Sequence, residues 1–232
     1  MATTFYFHDA TNAAAGTYPT GEQSATTPTW SSTGATTLRT MNTFVGSLQA
    51  SRPGTSASGA STQSGFLGYF VSPPLGGVQK VGGGSMTLAT ASTEANVGMN
   101  FNINGLNIYV WRPSTGTKVG TIRDSAGTSL GGIETGLVET TNYITGITST
   151  AVTAGIGDVI VCEVWATFTQ AGSSPAYATN FYYDGTTAIT ADAIAISSAA
   201  SYIRLSENLI FQNPIGTVLM SGFSSTGGFT IN

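Results

Sequence analysis

His8 is the sole histidine in the chain and stands beside Asp9 close to the start, so any Ser-His-Asp arrangement would have to run through it. No Gly-x-Ser-x-Gly elbow occurs to supply a strained nucleophile. His8 is therefore expected to cap or turn the chain rather than to move protons. Cys162 is also alone, which removes zinc spacing and internal disulfides together. In GDVIVCEVWATFTQ it falls on the strand face shared with Ile160, Val164, Ala166 and Phe168, where a thiol behaves as a small core hydrophobe. The eleven carboxylates are scattered. Asp184 and Asp192 could share a calcium ion with backbone carbonyls, but Asp184-Gly185 is more simply a tight hairpin turn between NFYY and TTAIT. Asp158 and Glu163 fall on opposite faces of one strand and cannot act as an acid-base pair. Gly82-Gly83-Gly84 has no following Lys-Ser or Lys-Thr and is no phosphate loop. The residues thus nominate no catalytic, cofactor-binding or metal-binding set, and the chain is expected not to be an enzyme.

Aromatic rings are the remaining means of recognition. Tyr109 and Trp111 share one face of a strand, the spacing of a sugar-stacking platform, with Trp165, Tyr182 and Tyr183 as further candidates. The competing reading places them in the core or in cross-strand pairs, where large aromatic rings usually lie.

The elements that would position these groups are strands. β-branched runs separated by glycine-rich turns recur at Gly65 to Val71, Ser85 to Thr90, Asn107 to Arg112, Lys118 to Arg123, Ala176 to Tyr183 and Tyr202 to Phe211, and Ile160 to Thr169 alternates with a period of two. Residues 190 to 200 read equally as helix or strand. The long connections 124 to 142 and 184 to 201 predict Greek-key crossings between two sheets. The expected fold is all-β, a two-sheet antiparallel β-sandwich, jelly-roll-like, with extended N- and C-terminal arms. Its expected division is residues 1–64 as an N-terminal arm, strand and low-complexity linker packed on the sandwich, 65–211 as the core, and 212–232 as a C-terminal arm.

That last segment carries Ile215, Val218, Leu219, Met220, Phe223, Phe229 and Ile231 among glycines and serines. Ordering it costs more conformational entropy than burying those side chains returns. It therefore needs hydrogen-bonding partners, and Gly216 to Met220 is expected to add as a strand to an edge.

Composition narrows the partners. Only 8% of 232 residues are charged, against roughly a quarter in an average domain. A net charge of −4 leaves no basic stripe for phosphates, so nucleic acid is an unexpected ligand. No apolar run reaches the length of a membrane helix, and MATTFYFHDATN lacks the pattern of a signal peptide.

The succession AGIGDVIVCEVWATFT, NFYYDGTTAIT, SYIRLSENLIF, with NIYVWRPSTGTKVGTIRD as an earlier hairpin, resembles the C-terminal half of jelly-roll sandwiches in tailed-phage virion proteins over roughly residues 100 to 211. In that family a Gly-Asp turn opens a long apolar strand, a Tyr-Tyr-x-Gly-Thr hairpin follows, and the last strand ends in Ser-Glu-Asn-Leu. The resemblance implies a protein displayed on the virion, made in the host cytoplasm. The resemblance allows head or tail; the arm-like ends, without collagen-like repeats or long heptads, favour head decoration as a cement protein, and for that class the resemblance implies a trimer holding the major capsid protein through extended arms. The alternative is a carbohydrate- or receptor-binding module of a phage tail or fibre. No family motif identifies contact residues.

Overall fold

β-branched runs punctuated by glycine fold into strands throughout the part of the chain that the computed structural model describes, residues 2–11, 30–31, 37–55, 62–96, 99–125, 130, 138–170, 176–192 and 198–212. The strands are β1 (Thr3–Thr11), β2 (Trp30–Ser31), β3 (Leu38–Asn42), β4 (Ala50–Thr55), β5 (Thr62–Val71), β6 (Gln79–Val81), β7 (Ser85–Glu94) and β8 (Met99–Arg112). They continue as β9 (Thr117–Asp124), β10 (Thr140–Thr148), β11 (Val152–Ala154), β12 (Val159–Gln170), β13 (Ala178–Tyr183), β14 (Thr187–Ala188), β15 (Ala199–Ala200) and β16 (Tyr202–Leu205). No helix occurs among the described residues, so none is long and apolar enough to cross a membrane.

Twelve strands form one mixed sheet in the order β4-β13-β7-β16-β1-β3-β5-β12-β8-β9, with β10 on β7 and β2 on β5. The sheet folds back on itself. β5, β12, β8 and β9 face β13, β7, β10, β16 and β1 across a core that includes Phe5, Phe7, Phe70, Leu88, Ile108, Ile122, Ile144, Ile160, Val164, Phe181 and Ile203. The fold is an all-β sandwich whose two layers are hydrogen-bonded to one another through β3. Most pairs are antiparallel, but β3 and β5 run parallel, Leu38 opposite Tyr69 and Thr40 opposite Val71. The cause is topological: between them the chain visits the other layer as β4, which pairs with β13, and returns in its original direction.

Three sequence expectations need correction. A division at residue 64/65 does not follow the sheet, because β1 lies between β16 and β3, β4 pairs with β13, and Phe5, Phe7 and Met41 are fully buried. Residues 1–64 therefore supply core strands. The run Tyr202 to Phe211 is a strand only to Leu205, with an isolated bridge from Phe211 to Leu75. Finally, of the two long connections, 124 to 142 does pass between layers, from β9 beside β8 to β10 beside β7. The connection 184 to 201 does not. β13 and β16 lie end to end along the same edge of β7, at Thr179↔Glu94 to Tyr182↔Ala91 and then Tyr202↔Ala89 to Arg204↔Thr87. Ser201 bridges the joint: its Oγ accepts from Ala91 N at 3.0 Å and donates to Tyr182 O at 2.5 Å.

The C-terminal arm residues Ile215, Val218, Leu219, Met220, Phe223 and Phe229 lie outside the described residues.

Candidate functional site

β1 alternates. Phe5 and Phe7 point into the core, and His8 points the other way, yet it is only 6% exposed because two other segments close over it. One is the segment 43–49 that links β3 to β4. The other is Asp184, at the end of β13. Asp184 has φ +60°, a left-handed conformation that Asp adopts more readily than most residues. Its amide donates to Phe7 O at 3.0 Å. Its Oδ1 lies 2.7 Å from His8 Nδ1, and its Oδ2 accepts from Asp9 N at 3.0 Å. The other ring nitrogen, Nε2, donates to Phe44 O at 3.0 Å. Gly46 sits so close to Asp184 that any side chain there would overlap the carboxylate.

A second tier extends inward from Asp9. Tyr183 Oη donates to Asp9 Oδ1 at 2.8 Å, and Arg39 Nη1 binds Asp9 through its carboxylate and its carbonyl. Arg52, 1% exposed, lies between Tyr183 and Phe70, with its guanidinium carbon 5.9 Å and 5.5 Å from the two ring centroids. β5 explains why a charge sits there. A bulge opposite β12, where Val164 pairs with Gly68 and Trp165 with Phe66, takes Leu67 out of the ladder. Arg52 Nη1 donates to Leu67 O at 2.9 Å and Nη2 to Thr37 O at 3.2 Å. Gly68, at φ +153°, leaves the space that Nη1 occupies. Burial holds the Arg52 pKa below its ordinary value, and the hydrogen bond it donates to Tyr183 opposes that shift.

The sequence candidates fall elsewhere. Tyr109 and Trp111 are 0% and 6% exposed, with their rings edge to face at 6.4 Å and 73°. They belong to a second apolar cluster with Phe66, Tyr69, Val71, Val159, Val161 and Trp165 on the outer face of β5, β12 and β8. Packed in this way they present no ring face for a sugar to stack on. Glu163 is fully buried in the same face, accepting from Asn107 Nδ2 at 2.9 Å and Trp165 Nε1 at 3.4 Å. Burial, and then this carboxylate, push the Tyr109 phenol well above its ordinary pKa.

Asp158 instead chelates Arg112, with both contacts at 2.8 Å, and accepts from Gly155 N at 2.7 Å. That pairing raises the Arg112 pKa. Cys162 is buried and its thiol is pushed up by burial, a state opposite to that of a nucleophilic thiolate. Asp192 Oδ1 accepts from Tyr143 N, whereas Asp184 is engaged by His8 and Asp9 N. Among the described residues no group of three His, Cys, Asp or Glu side chains is placed to hold a metal ion.

Asp184-Gly185 does turn the chain, but not into a tight hairpin. Gly185 packs against the backbone of Ser198 and Ala199, and β14 then pairs in parallel with β15. The role of His8 as a buried tie between three segments was not anticipated. Its neighbours come from residues 44 and 184, too far along the chain for spacing to signal them.

No family model matches the chain, and no curated protein matches it. Among solved structures, two of a CocE/NonD family hydrolase from Staphylococcus aureus are similar at TM-scores of 0.28 and 0.26, with 10% and 11% identity. They cover 88% and 89% of this chain, which spans about a third, 34%, of theirs. At these scores the likeness carries no argument about fold or activity.

Proposed function

We propose that the chain is a non-enzymatic virion structural protein, a capsid decoration (cement) protein that holds the major capsid protein and copies of itself, as a trimer, through its C-terminal arm. The observation that carries this reading is an apolar end. Leu75 N donates to Asp158 O at 2.8 Å, Gly157 N to Leu75 O at 2.9 Å, and Gly76 N to Ile210 O at 2.8 Å, which gathers three segments around Leu75. Each presents a large exposed hydrophobe there: Val78 at 74%, Ile156 at 66% and Ile210 at 64%. Gln212 N is held on Pro74 O at 2.8 Å, which places the last described residue at this end. The adjacent charges Arg112 and Asp158 neutralise each other. An uncharged, apolar surface of this kind suits adhesion that tolerates changes in salt.

The non-enzymatic part of the reading is supported by His8, both of whose ring nitrogens are engaged. A general base needs one lone pair free. Counting copies per purified particle by mass spectrometry tests the proposal: hundreds are expected, and a handful would move the chain to the tail. A truncation ending at Gln212 is expected to fold but to lose particle binding. Binding that survives the truncation would remove the arm from the mechanism.

A further inference from the structure

We propose that the depression between β1, β3 and the segment 43–49 binds a neutral saccharide, with the Phe44 ring as its platform and Asp184, Asn42, Thr40 and Ser47 as its polar contacts. The inference goes beyond the assembly reading and stands independently of it.

The site begins with a defect in a ladder. β1 pairs with β3 at Phe7↔Met41 and next at Thr11↔Arg39, so residues 8–10 stand opposite Thr40 alone. The extra length lets the two strands part locally. Phe7 and Met41 are fully buried in the core, whereas His8, Thr40 and Asn42 line a cavity of about 500 Å³ together with Phe44, Ser47 and Asp184. That volume lies within the range of pockets that take small molecules.

Phe44 is 65% exposed. One exposed phenylalanine is ordinary on a protein surface; what sets this one apart is how its backbone is held. Its N–H donates to Asn42 Oδ1 at 3.2 Å, and its carbonyl accepts from His8 Nε2 at 3.0 Å. The His8 ring lies 5.4 Å from the Phe44 ring, at 47°. Two residues on, Gly46 lets the segment close on Asp184. The ring is thus presented on a backbone fixed from both sides, in place before a ligand arrives.

The polar groups beside the ring have capacity to spare. Asp184 Oδ1 faces His8 Nδ1 and Oδ2 accepts from Asp9 N, which leaves each oxygen a second lone pair. Its side chain is 19% exposed, so ligand and water can reach it. Asn42 Oδ1 is taken by Phe44 N, and its Nδ2 remains as a donor. Among the described residues, that Nδ2 and the hydroxyls of Thr40 and Ser47 make no hydrogen bond within the protein.

An apolar ring beside a carboxylate, an amide and two hydroxyls matches a pyranose. One face of such a sugar is a patch of C–H groups that packs on an aromatic ring, and its neighbouring hydroxyls both donate and accept. Among the described residues no Lys or Arg lines the cavity, so an anionic ligand would meet the Asp184 carboxylate without compensation. For a metal ion, one lining carboxylate is too few.

Amide NMR of the full ¹⁵N-labelled chain tests this by titration with glucose, galactose, mannose, fucose, N-acetylglucosamine and N-acetylgalactosamine. Each is taken to about 50 mM, above the dissociation constant on the order of 1–10 mM that a ligand of about a dozen non-hydrogen atoms reaches. At least one sugar is expected to shift the amides of residues 42–47 and 184 saturably. Phe44→Ala is expected to weaken that binding about tenfold or more, whereas Phe44→Tyr, which keeps the ring, should stay within about twofold. Ser47→Trp fills the cavity from a second exposed position and should abolish the shifts. The uronic acid of the sugar that binds should bind about fivefold or more weakly than its neutral parent. The proposal is overturned if none of the six sugars shifts these amides, if the shifts fall elsewhere on the chain, if Phe44→Ala or Ser47→Trp binds like the wild type, or if the uronic acid binds as tightly as its parent.

Discussion

Arg52 and His8 each tie distant strands together through side-chain nitrogens, and the two sites differ in depth and in what they hold in place. Arg52 sits between the layers, where its guanidinium replaces a ladder partner for Leu67 O and reaches Thr37 O. Although burial lowers its pKa, a guanidinium stays protonated at any pH at which the sandwich is folded. His8 lies one tier outward and joins β1 to the 43–49 segment and to Asp184 through its two ring nitrogens. A permanent charge is used where a structural defect, the β5 bulge, must always be filled. An imidazole is used where a surface segment has only to be held down.

The comparison can be broken most forcefully at its permanent end. Arg52→Ala removes the guanidinium from Leu67 O and Thr37 O and leaves a void beside Gly68, and should destabilise the chain by about 3–5 kcal/mol in urea unfolding. Gly68→Ala attacks the same contact from β5, since its methyl group would overlap Arg52 Nη1 at an unfavourable positive φ. A loss of about 2–4 kcal/mol is expected. The double variant should cost less than the sum, because the overlap disappears with the arginine. Strict additivity would show that the two residues do not share one site.

At the other end, His8→Asn should cost about 1–2 kcal/mol, through the loss of its hydrogen bonds to Asp184 and Phe44 O. A loss as large as that of Arg52→Ala would erase the distinction between the two ties. The smallest effect is expected at Glu139, half-buried, with its pKa raised by burial against the opposing hydrogen bonds of Gln49 and Ala199 N. Because its folded pKa is raised, its favourable contribution is present at acid pH and is lost as the pH rises through the folded value. Glu139→Gln should therefore change stability by less than about 1 kcal/mol, in the stabilising direction at neutral pH.

The permanent tie was harder to read from the sequence than the sandwich around it. The period of two in the β12 run announced a long strand with one apolar face, but not that its second face, with Glu163, Thr167 and Thr169, would also be largely buried. Ile160, Cys162, Val164, Ala166 and Phe168 indeed enter the main core, while Val159, Val161 and Trp165 enter the outer cluster. β4 was opaque, because Ala-Ser-Arg-Pro-Gly-Thr has no hydrophobic alternation. It becomes a strand through its partner β13 and through the Leu67 carbonyl that Arg52 satisfies, and both lie elsewhere in the chain. His8 was legible as an isolated imidazole but not as a buried one, since burial there is supplied by residues 44 and 184. Tyr109 and Trp111 share a face as their spacing indicated. Spacing alone does not say whether a face is open, and this one is filled by Phe66, Tyr69 and Trp165.

The end-to-end placement of β13 and β16 on one edge of β7 has a consequence for engineering. Ser201 seals the seam, and Ile189 and Tyr202 plug the loop onto Ala89 and Ala91. The exposed residues Thr190 to Asp192 stand outside every described ladder, so the chain can be lengthened there. Doubling such a loop adds only about 0.6 kcal/mol of closure entropy, which makes this bend a permissive position for grafting a foreign epitope.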